Sequence, residues 1–284
     1  MKTRILTGLV IGVLLISLCW FSDTVALPIA VTALSIIGVG EMLNCVGTLK
    51  KPMVAALSFA FVLAVDSLFF VTELLKAEAY QGYSYGFVLM SAVYLFGLLG
   101  VTTFSKGKIK VDDAFSSFAG VFYVVLGFSC LVLVRREGNG YLLAITIWLP
   151  LISDIFAYFT GYFFGKHKLI PEVSPKKTVE GAIGGMLFCG IGCIVFAVVY
   201  SIINETPLDV LLFVRMFAIG LICSVVSQIG DLLMSVVKRR YDVKDYGKLF
   251  PGHGGVLDRF DSVIAVAIVV LMLTFIPGFV SFAA

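Results

Sequence analysis

Long uninterrupted apolar runs limit what this chain can fold into more than any other feature. Runs of about 20 apolar residues, the length that a helix needs to cross a bilayer, lie near 5–22, 25–47, 53–74, 84–104, 114–134, 140–164, 181–203, 210–237 and 257–282. They lack the apolar–polar alternation of membrane β-barrel strands. The chain is 60% hydrophobic and only 14% charged, which excludes an ordinary soluble domain. The sequence therefore predicts an all-α polytopic membrane protein with about nine transmembrane helices.

The lysines and arginines between these runs predict the orientation of the chain, because cytoplasmic loops carry an excess of both. Sixteen of the 21 fall on one side of the membrane: Lys2, Arg4, Lys50, Lys51, Lys106, Lys108, Lys110, Lys166, Lys168, Lys176, Lys177, Lys238, Arg239, Arg240, Lys244 and Lys248. Lys76, Arg135 and Arg136 fall on the other. We therefore predict a cytoplasmic N-terminus, a C-terminus outside, and two long cytoplasmic loops, 165–180 and 238–256.

Polar chemistry is concentrated in the second part of the chain, from Ser153 onward. Residues 1–110 are predicted to form an N-terminal transmembrane bundle for packing or assembly, and residues 111–284 to carry the site. Glu41 and Asp66 lie in the first part, and structural roles are favoured for both. Glu41 is the better site candidate of the two, because it faces the predicted cytoplasmic end of its span.

Three carboxylates near the end of the chain are the strongest candidates for a metal site, since a carboxylate within a span is costly unless it is paired or hydrated. Ser227, Asp231 and Lys238 share one helical face that leads toward the cytoplasm. Asp258 and Asp261 lie three residues apart at the start of the ninth run. Together the three aspartates predict an all-oxygen site suited to Mg²⁺. A helix–helix contact for Asp231 and a helix cap for Asp258 are the alternatives.

The loop between these carboxylates indicates binding of phosphate. It carries five cations, Lys238, Arg239, Arg240, Lys244 and Lys248, before the run Pro251-Gly252-His253-Gly254-Gly255. The glycines let backbone N–H groups approach an anion at a helix N-terminus, and His253 is a candidate donor or acid. The alternatives are contact with anionic lipid headgroups for the cations and an ordinary turn for the glycines.

A second polar segment follows the sixth run and is predicted to form another wall of the site. Asp154 and Tyr158 are four residues apart, and Gly161 and Gly165 continue the same helical face, where small residues permit close helix packing. The loop beyond them carries a predicted nucleotide-phosphate binder, Ser174, Lys176, Lys177 and Thr178. It lacks the spacing of a Walker motif.

The run Ser235–Asp261, SVVKRRYDVKDYGKLFPGHGGVLDRFD, resembles the signature of the phosphatidate cytidylyltransferases, the CDP-diacylglycerol synthases. The matching positions are Ser235, Lys238-Arg239, Lys244-Asp245, Gly247, Pro251, His253-Gly254-Gly255, Asp258-Arg259 and Asp261. The stretch from Asp154 to Gly181 is also similar to the family. The resemblance thus covers the C-terminal half closely, and the first half only in span number and hydrophobicity.

This resemblance implies an enzyme that transfers the CMP moiety of CTP to phosphatidate, giving CDP-diacylglycerol and pyrophosphate for phospholipid biosynthesis. It implies a homodimer in a bacterial-type inner (plasma) membrane, with its active site on the cytoplasmic side. It also implies that Asp231 and Asp258 hold Mg²⁺ with a neighbouring K⁺, and that Asp261 is a further candidate ligand. The expected partners are CTP, phosphatidate and membrane lipid, and no nucleic acid.

The expected roles of the site residues follow from the need to bring two polyanions, CTP and phosphatidate, together. The lipid phosphate is itself the nucleophile, so positioning and charge screening matter more than a strong base. We expect phosphate oxygens to be bound by Lys238, Arg239, Lys244, Lys248 and His253. We expect the nucleotide to be covered by Ser174, Lys176, Lys177 and Thr178. The remaining predicted substrate-binding residues are Asp154, Tyr158, Asp245, Gly254, Gly255 and Arg259.

Two other functions compete with this interpretation. Another CTP-dependent lipid enzyme, such as a polyprenol-type kinase, shares the hydrophobicity and the basic loops, but the Ser235–Asp261 pattern argues against it. An ion-coupled transporter predicts inverted repeats and polar groups near the midplane on several spans, whereas here the polar groups gather at one face.

Overall fold

The computed structural model describes residues 8, 12–13, 15–74, 79–137, 140–276 and 278, and most of them are helical. The helices are α1 (Ala26–Val46), α2 (Pro52–Leu74), α3 (Ala79–Phe104), α4 (Val111–Glu137), α5 (Gly140–Phe164), α6 (Val179–Asn204), α7 (Val210–Arg240) and α8 (Leu257–Thr274). Two short strands, β1 (Lys168–Ile170) and β2 (Ser174–Thr178), lie between α5 and α6.

Among the described residues, seven helices, α1 to α7, are long and apolar enough to cross a membrane, which confirms the predicted all-α polytopic membrane protein. They correspond to the second to eighth predicted runs. Part of the first run lies outside the described residues. The same holds for Lys2, Arg4, Lys76 and most of the sequence beyond 276. The count of nine spans and the orientation of both termini stay predictions.

The chain divides into two compact units. The first unit comprises the described residues up to Val132 together with Tyr241–Arg259, and the second comprises Leu133–Arg240 and the described residues from Phe260 onward. The first unit continues to Val132, beyond the predicted boundary at residue 110. The predicted division into an N-terminal bundle and a catalytic region stays a prediction. The signature loop, defined here as residues 241–256, belongs to the first unit.

Polar and aromatic contacts join the helices of the first unit. Lys51, just before α2, forms an ion pair with Asp113 of α4, and the Ser117 hydroxyl donates to Thr48 Oγ1 at 2.9 Å. The rings of Phe61 and Tyr94 are stacked with centroids 4.7 Å apart. Stacked aromatic pairs stabilise a core beyond the area that they bury, so α2 and α3 are firmly joined.

Glycines bring the helices of the second unit into close contact. A Cβ added at Gly161 would lie 2.7 Å from Thr178 Oγ1, and one added at Gly181 would lie 2.6 Å from the carbonyl oxygen of Ala157. A Cβ at Gly220 of α7 would lie 2.6 Å from the Cys189 carbonyl oxygen of α6. These distances confirm the close packing predicted from the small residues of α5.

A β-hairpin replaces most of the loop that the sequence predicts over residues 165–180. Strands β1 and β2 are antiparallel, with Lys168 opposite Thr178 and Ile170 opposite Ser174. The Thr178 hydroxyl accepts the Gly181 N–H at 3.1 Å and caps the N-terminus of α6. His167 Nδ1 lies 2.7 Å from Glu180 Oε1. Both contacts fix the base of the hairpin to the first turn of α6.

Candidate active site

A cavity of about 580 Å³ in the second unit gathers most of the residues predicted from the α5–α6 segment. Its lining includes seven of the predicted site residues: Asp154, Tyr158, Ser174, Lys176, Lys177, Thr178 and Asp231. Gly161 and Gly165 also line it, so the helical face that begins at Asp154 forms one wall. The hairpin forms another, and α7 contributes Asp231. The cavity is thus lined by cations from β2 and carboxylates from two helices.

An ion pair between Lys177 and Asp231 joins the hairpin to α7. Each of these side chains is 27% exposed, and both residues line the cavity. Lys176, the neighbour of Lys177 on β2, is more exposed, as the alternation of a strand requires. The hairpin therefore points one ammonium group at an aspartate and leaves the next available to an anionic ligand.

Asp231 is close to a second carboxyl group, that of Asp261. The two interact electrostatically and through a side-chain hydrogen bond, and the ammonium group of Lys238 also acts on Asp261. Gly230 makes this approach possible, because a Cβ there would lie 2.6 Å from Ala265 Cβ and 3.0 Å from the Asp261 carbonyl oxygen. Close packing of α7 on α8 therefore places the two aspartates together.

This pair fits a divalent cation by its donor chemistry. Mg²⁺ in phosphate-handling sites takes one or two carboxylates and completes its shell with waters and substrate oxygens. Asp231 and Asp261 supply two such carboxylates, and one helical turn before Asp231 the buried Ser227 hydroxyl has no hydrogen-bond partner within the described chain. No group of three or more His, Cys, Asp or Glu side chains suited to a metal occurs among the described residues.

Asp258, the other predicted metal ligand, lies in the first unit and holds the backbone of the signature loop. Its Oδ2 accepts the Tyr246 N–H at 2.8 Å and the Gly255 N–H at 3.0 Å. Arg259 acts in a similar way, because its Nε–H donates to the His253 carbonyl oxygen at 2.7 Å. One oxygen of Asp258 thus holds the backbone of the loop, while its role as a metal ligand stays a prediction.

Glu41 of α1 also binds the signature loop. Its Oε1 accepts the Val256 N–H and its Oε2 accepts the Leu257 N–H, both at 2.9 Å. Gly247 and Gly255 pack against this carboxylate, since an added Cβ would lie 2.1 Å and 2.2 Å from Oε1. The structural role favoured for Glu41 is therefore realised, and the loop depends on it.

The remaining predicted loop residues are arranged around this framework. Lys244, Asp245 and Lys248 are exposed, and His253 is half-buried. His253 Nδ1 has no hydrogen-bond partner among the described residues, and Gly254 has the positive φ of 88° that favours glycine. Arg239, at the C-terminal end of α7 in the second unit, is exposed as well. Their roles in binding phosphate stay predictions.

Three polar side chains that the sequence did not indicate as site residues also line the cavity: Tyr162, Lys168 and Gln228. Tyr162 lies one helical turn beyond Tyr158, and the two rings are stacked at 6.3 Å. Gln228 donates to the Ala182 carbonyl oxygen at 3.2 Å and to Ser224 Oγ at 3.1 Å. The i, i+4 spacing from Asp154 to Tyr158, extended by one more turn, also predicts Tyr162 on this face. Lys168 could not be predicted in this way, because the hairpin that carries it was not predicted.

Comparison with known proteins identifies the family of this chain. The model of the cytidylyltransferase family matches residues 2–276. A phosphatidate cytidylyltransferase of Bacillus subtilis is 32% identical over 271 residues, which cover 94% of each chain.

Matches over a shorter region are closer in sequence. A phosphatidate cytidylyltransferase of Staphylococcus aureus is 41% identical over 169 residues, covering 59% of this chain and 61% of that protein. One of Staphylococcus saprophyticus is 39% identical over 176 residues, with the same coverage. Because the family model and the Bacillus protein both match nearly the whole length, the chain belongs to the cytidylyltransferase family.

Proposed function

We propose that this membrane protein is a phosphatidate cytidylyltransferase, which transfers the CMP moiety of CTP to phosphatidate and releases pyrophosphate. The observation that carries the proposal is the cavity in which the lysines of the hairpin and Asp231 come together. Its volume of about 580 Å³ is within the usual range for a small-molecule site. Membership of the cytidylyltransferase family supports this chemistry, and we propose this cavity as its location.

The reaction exchanges one phosphoric anhydride bond for another. A phosphate oxygen of phosphatidate attacks the α-phosphorus of CTP, and the bond from that phosphorus to the oxygen bridging to the β-phosphate breaks. The electron pair of the broken bond leaves with pyrophosphate. Because the attacking phosphate is already anionic at neutral pH, no residue has to remove a proton, and catalysis rests on positioning and on screening charge.

The hairpin residues bind the nucleotide in this proposal. Lys176 and Lys177 attract the triphosphate, and the hydroxyl of Ser174 lies in the same wall of the cavity. Hydrogen bonds between cations and phosphate oxygens are stronger than neutral ones. Tyr158 and Tyr162 offer exposed ring faces at the same cavity, which suit stacking of a base.

Asp231 and Asp261 are the proposed metal ligands of the second unit, with Asp258 as the further ligand predicted from the signature. A bound Mg²⁺ would screen the charge of the phosphates and stabilise the leaving pyrophosphate, and a K⁺ beside it is part of the proposal. Phosphate oxygens are held by Lys238, Arg239, Lys244, Lys248 and His253.

We also propose that the protein is a homodimer and that its active site faces the cytoplasm. The excess of lysine and arginine on that side supports this orientation.

Conversion of labelled CTP by purified protein in the presence of phosphatidate tests the proposal. Wild-type protein is expected to form CDP-diacylglycerol and pyrophosphate, to lose this activity with EDTA and to regain it with Mg²⁺. Asp231→Asn should lower the rate about a hundredfold or more, because it removes a charge at the centre of the site. Asp261→Asn should raise the Mg²⁺ concentration needed for half-maximal rate.

Glu205→Gln is the matched control, because Glu205 lies at the C-terminal end of α6 and does not line the cavity. Near-normal turnover by Asp231→Asn would contradict the assignment of the site. Release of CDP in place of pyrophosphate would identify a lipid kinase and refute the proposed reaction.

A further inference from the structure

The N-terminus of α8 is the place where a phosphate group would be expected to bind. The first N–H groups of a helix have no partner within the helix, and the helix dipole favours an anion there. This end follows directly on the His253-Gly254-Gly255 run of the signature loop, and it begins a helix of 18 residues.

Two carboxylates of the protein itself already accept the N–H groups that lead into α8, from Gly255 to Leu257. Glu41 accepts those of Val256 and Leu257, each at 2.9 Å. Asp258 accepts that of Gly255 at 3.0 Å. Three consecutive N–H groups are therefore satisfied by internal anions, and a substrate phosphate at this position would have to displace them.

The packing around Glu41 shows that its carboxylate fills the space that a ligand would need. A Cβ at Gly247 would lie 2.1 Å from Glu41 Oε1, and a Cβ at Gly255 would lie 2.2 Å from the same atom. Contacts this short leave no room for a side chain at either glycine. The backbone of the loop is thus closed around the carboxylate from both ends, at Gly247 and at Gly255.

We propose that Glu41 is a positioning residue that holds the signature loop in its active conformation, and that Gly247 and Gly255 are glycines because they pack against its carboxylate. Substrate phosphates then bind the side chains of the loop and not the N-terminus of α8. Glu41 acts through the loop, since it fixes the backbone on either side of Lys248 and His253. The kinetic consequences rest on the function proposed above.

Kinetics of Glu41 variants test this assignment. In Glu41→Gln one backbone N–H loses its acceptor, so kcat should fall about tenfold or more, while the KM for CTP changes less than about twofold. In Glu41→Ala the vacated space should accept acetate, so added acetate should restore part of kcat in Glu41→Ala and none in Glu41→Gln. Glu205→Gln is the control for the loss of a carboxylate.

A double-mutant comparison tests the role of the glycines. Gly247→Ala should lower kcat strongly in the wild-type background and cause little further loss in Glu41→Ala, because the atom that it clashes with is gone. Gly40→Ala is the matched control, since its Cβ would lie 3.7 Å from the Phe59 ring, an ordinary contact. Independent effects of the two substitutions would refute the proposal. A lower KM for CTP or phosphatidate with an undiminished kcat in Glu41→Gln would refute it too, because Glu41 would then compete with substrate.

Hydrogen exchange separates this proposal from the proposed function. Amide exchange in peptides covering 246–257 should accelerate about tenfold or more in Glu41→Gln relative to wild type, whatever reaction the enzyme catalyses. Failure of wild-type protein to form CDP-diacylglycerol would refute the proposed function alone. Unchanged exchange in Glu41→Gln would refute the positioning role alone.

Discussion

Lys177 links two parts of the candidate site through a single side chain. Its ammonium group contacts Asp231 of α7, while its backbone belongs to β2. An exposed ion pair contributes little to stability, and this one, at 27% exposure of each partner, is partly screened by solvent. Its importance is therefore expected in ligand binding, where the ammonium group is held ready for the triphosphate.

Replacing Lys177 with Gln should weaken the binding of CTP. Loss of one charge-assisted contact to phosphate predicts a KM for CTP about tenfold higher, together with a lower kcat because Asp231 is no longer oriented. Steady-state kinetics at saturating phosphatidate measure both values. Lys166→Gln is the control, because Lys166 is exposed and does not line the cavity. Equal KM values for the Lys177 variant and the wild type would contradict a role in binding CTP.

At the level of secondary structure, the contact between α7 and α8 determines where the carboxylates of the second unit meet. Gly230 lets the two helices approach, and Asp231 and Asp261 follow as neighbours of that contact. The same contact is apolar on its other side, where Ala265 is buried. The contact of Gly230 with Ala265 and Asp261 thus determines both the packing of α7 on α8 and the position of the two carboxylates.

Gly230→Ala is expected to separate α7 from α8 and to impair both stability and activity. The added Cβ would meet Ala265 Cβ at 2.6 Å, and overpacking of this kind costs about 1–3 kcal/mol. Thermal unfolding in detergent measures the loss. Adding Ala265→Gly should recover only part of it, because the Asp261 carbonyl oxygen remains 3.0 Å from the new Cβ.

Gly100→Ala is the matched control for this pair, because a Cβ there has open space around it. Full stability of Gly230→Ala would show that the contact between α7 and α8 is looser than the distances indicate.

On the scale of the whole molecule, the excess of lysine and arginine on one side of the spans predicts which loops face the cytoplasm. The loop 165–180 and the signature loop fall on that side, and the short connection between α6 and α7, near Glu205, falls on the other. The six cysteines are free, and all except Cys19 are buried, so introduced cysteines can report on the orientation.

Labelling of single introduced cysteines with a membrane-impermeant maleimide checks this orientation. In a Cys19→Ser background, Lys176→Cys and Lys248→Cys should react in inside-out vesicles and stay unreacted in right-side-out vesicles. Glu205→Cys should show the opposite pattern. Reaction of Lys176→Cys and Lys248→Cys from opposite sides would refute the placement of both loops in the cytoplasm.

The sequence predicted the parts of this molecule that depend on local pattern. Seven apolar runs correspond to helices long and apolar enough to cross a membrane, and the i, i+4 spacing of Asp154 and Tyr158 placed both on the cavity. The hairpin was not predicted, because its strands are only three and five residues long and β2 contains Pro175 and two lysines. The partners of Glu41 could not be predicted from the sequence, since they lie more than 200 residues away in the chain.

Thr178 makes the candidate site sensitive to the thickness of the surrounding bilayer. An added Cβ at Gly161, Gly165 or Gly181 would lie within 2.9 Å of the Thr178 side chain, so this side chain packs directly against both α5 and α6 beside Lys177. A bilayer that is too thin or too thick changes the tilt of spanning helices, and a change of tilt between α5 and α6 would move Lys177 relative to Asp231. Turnover should therefore differ between vesicles of short-chain and long-chain phosphatidylcholine at the same phosphatidate content, and equal rates in both would show that helix tilt does not reach the hairpin.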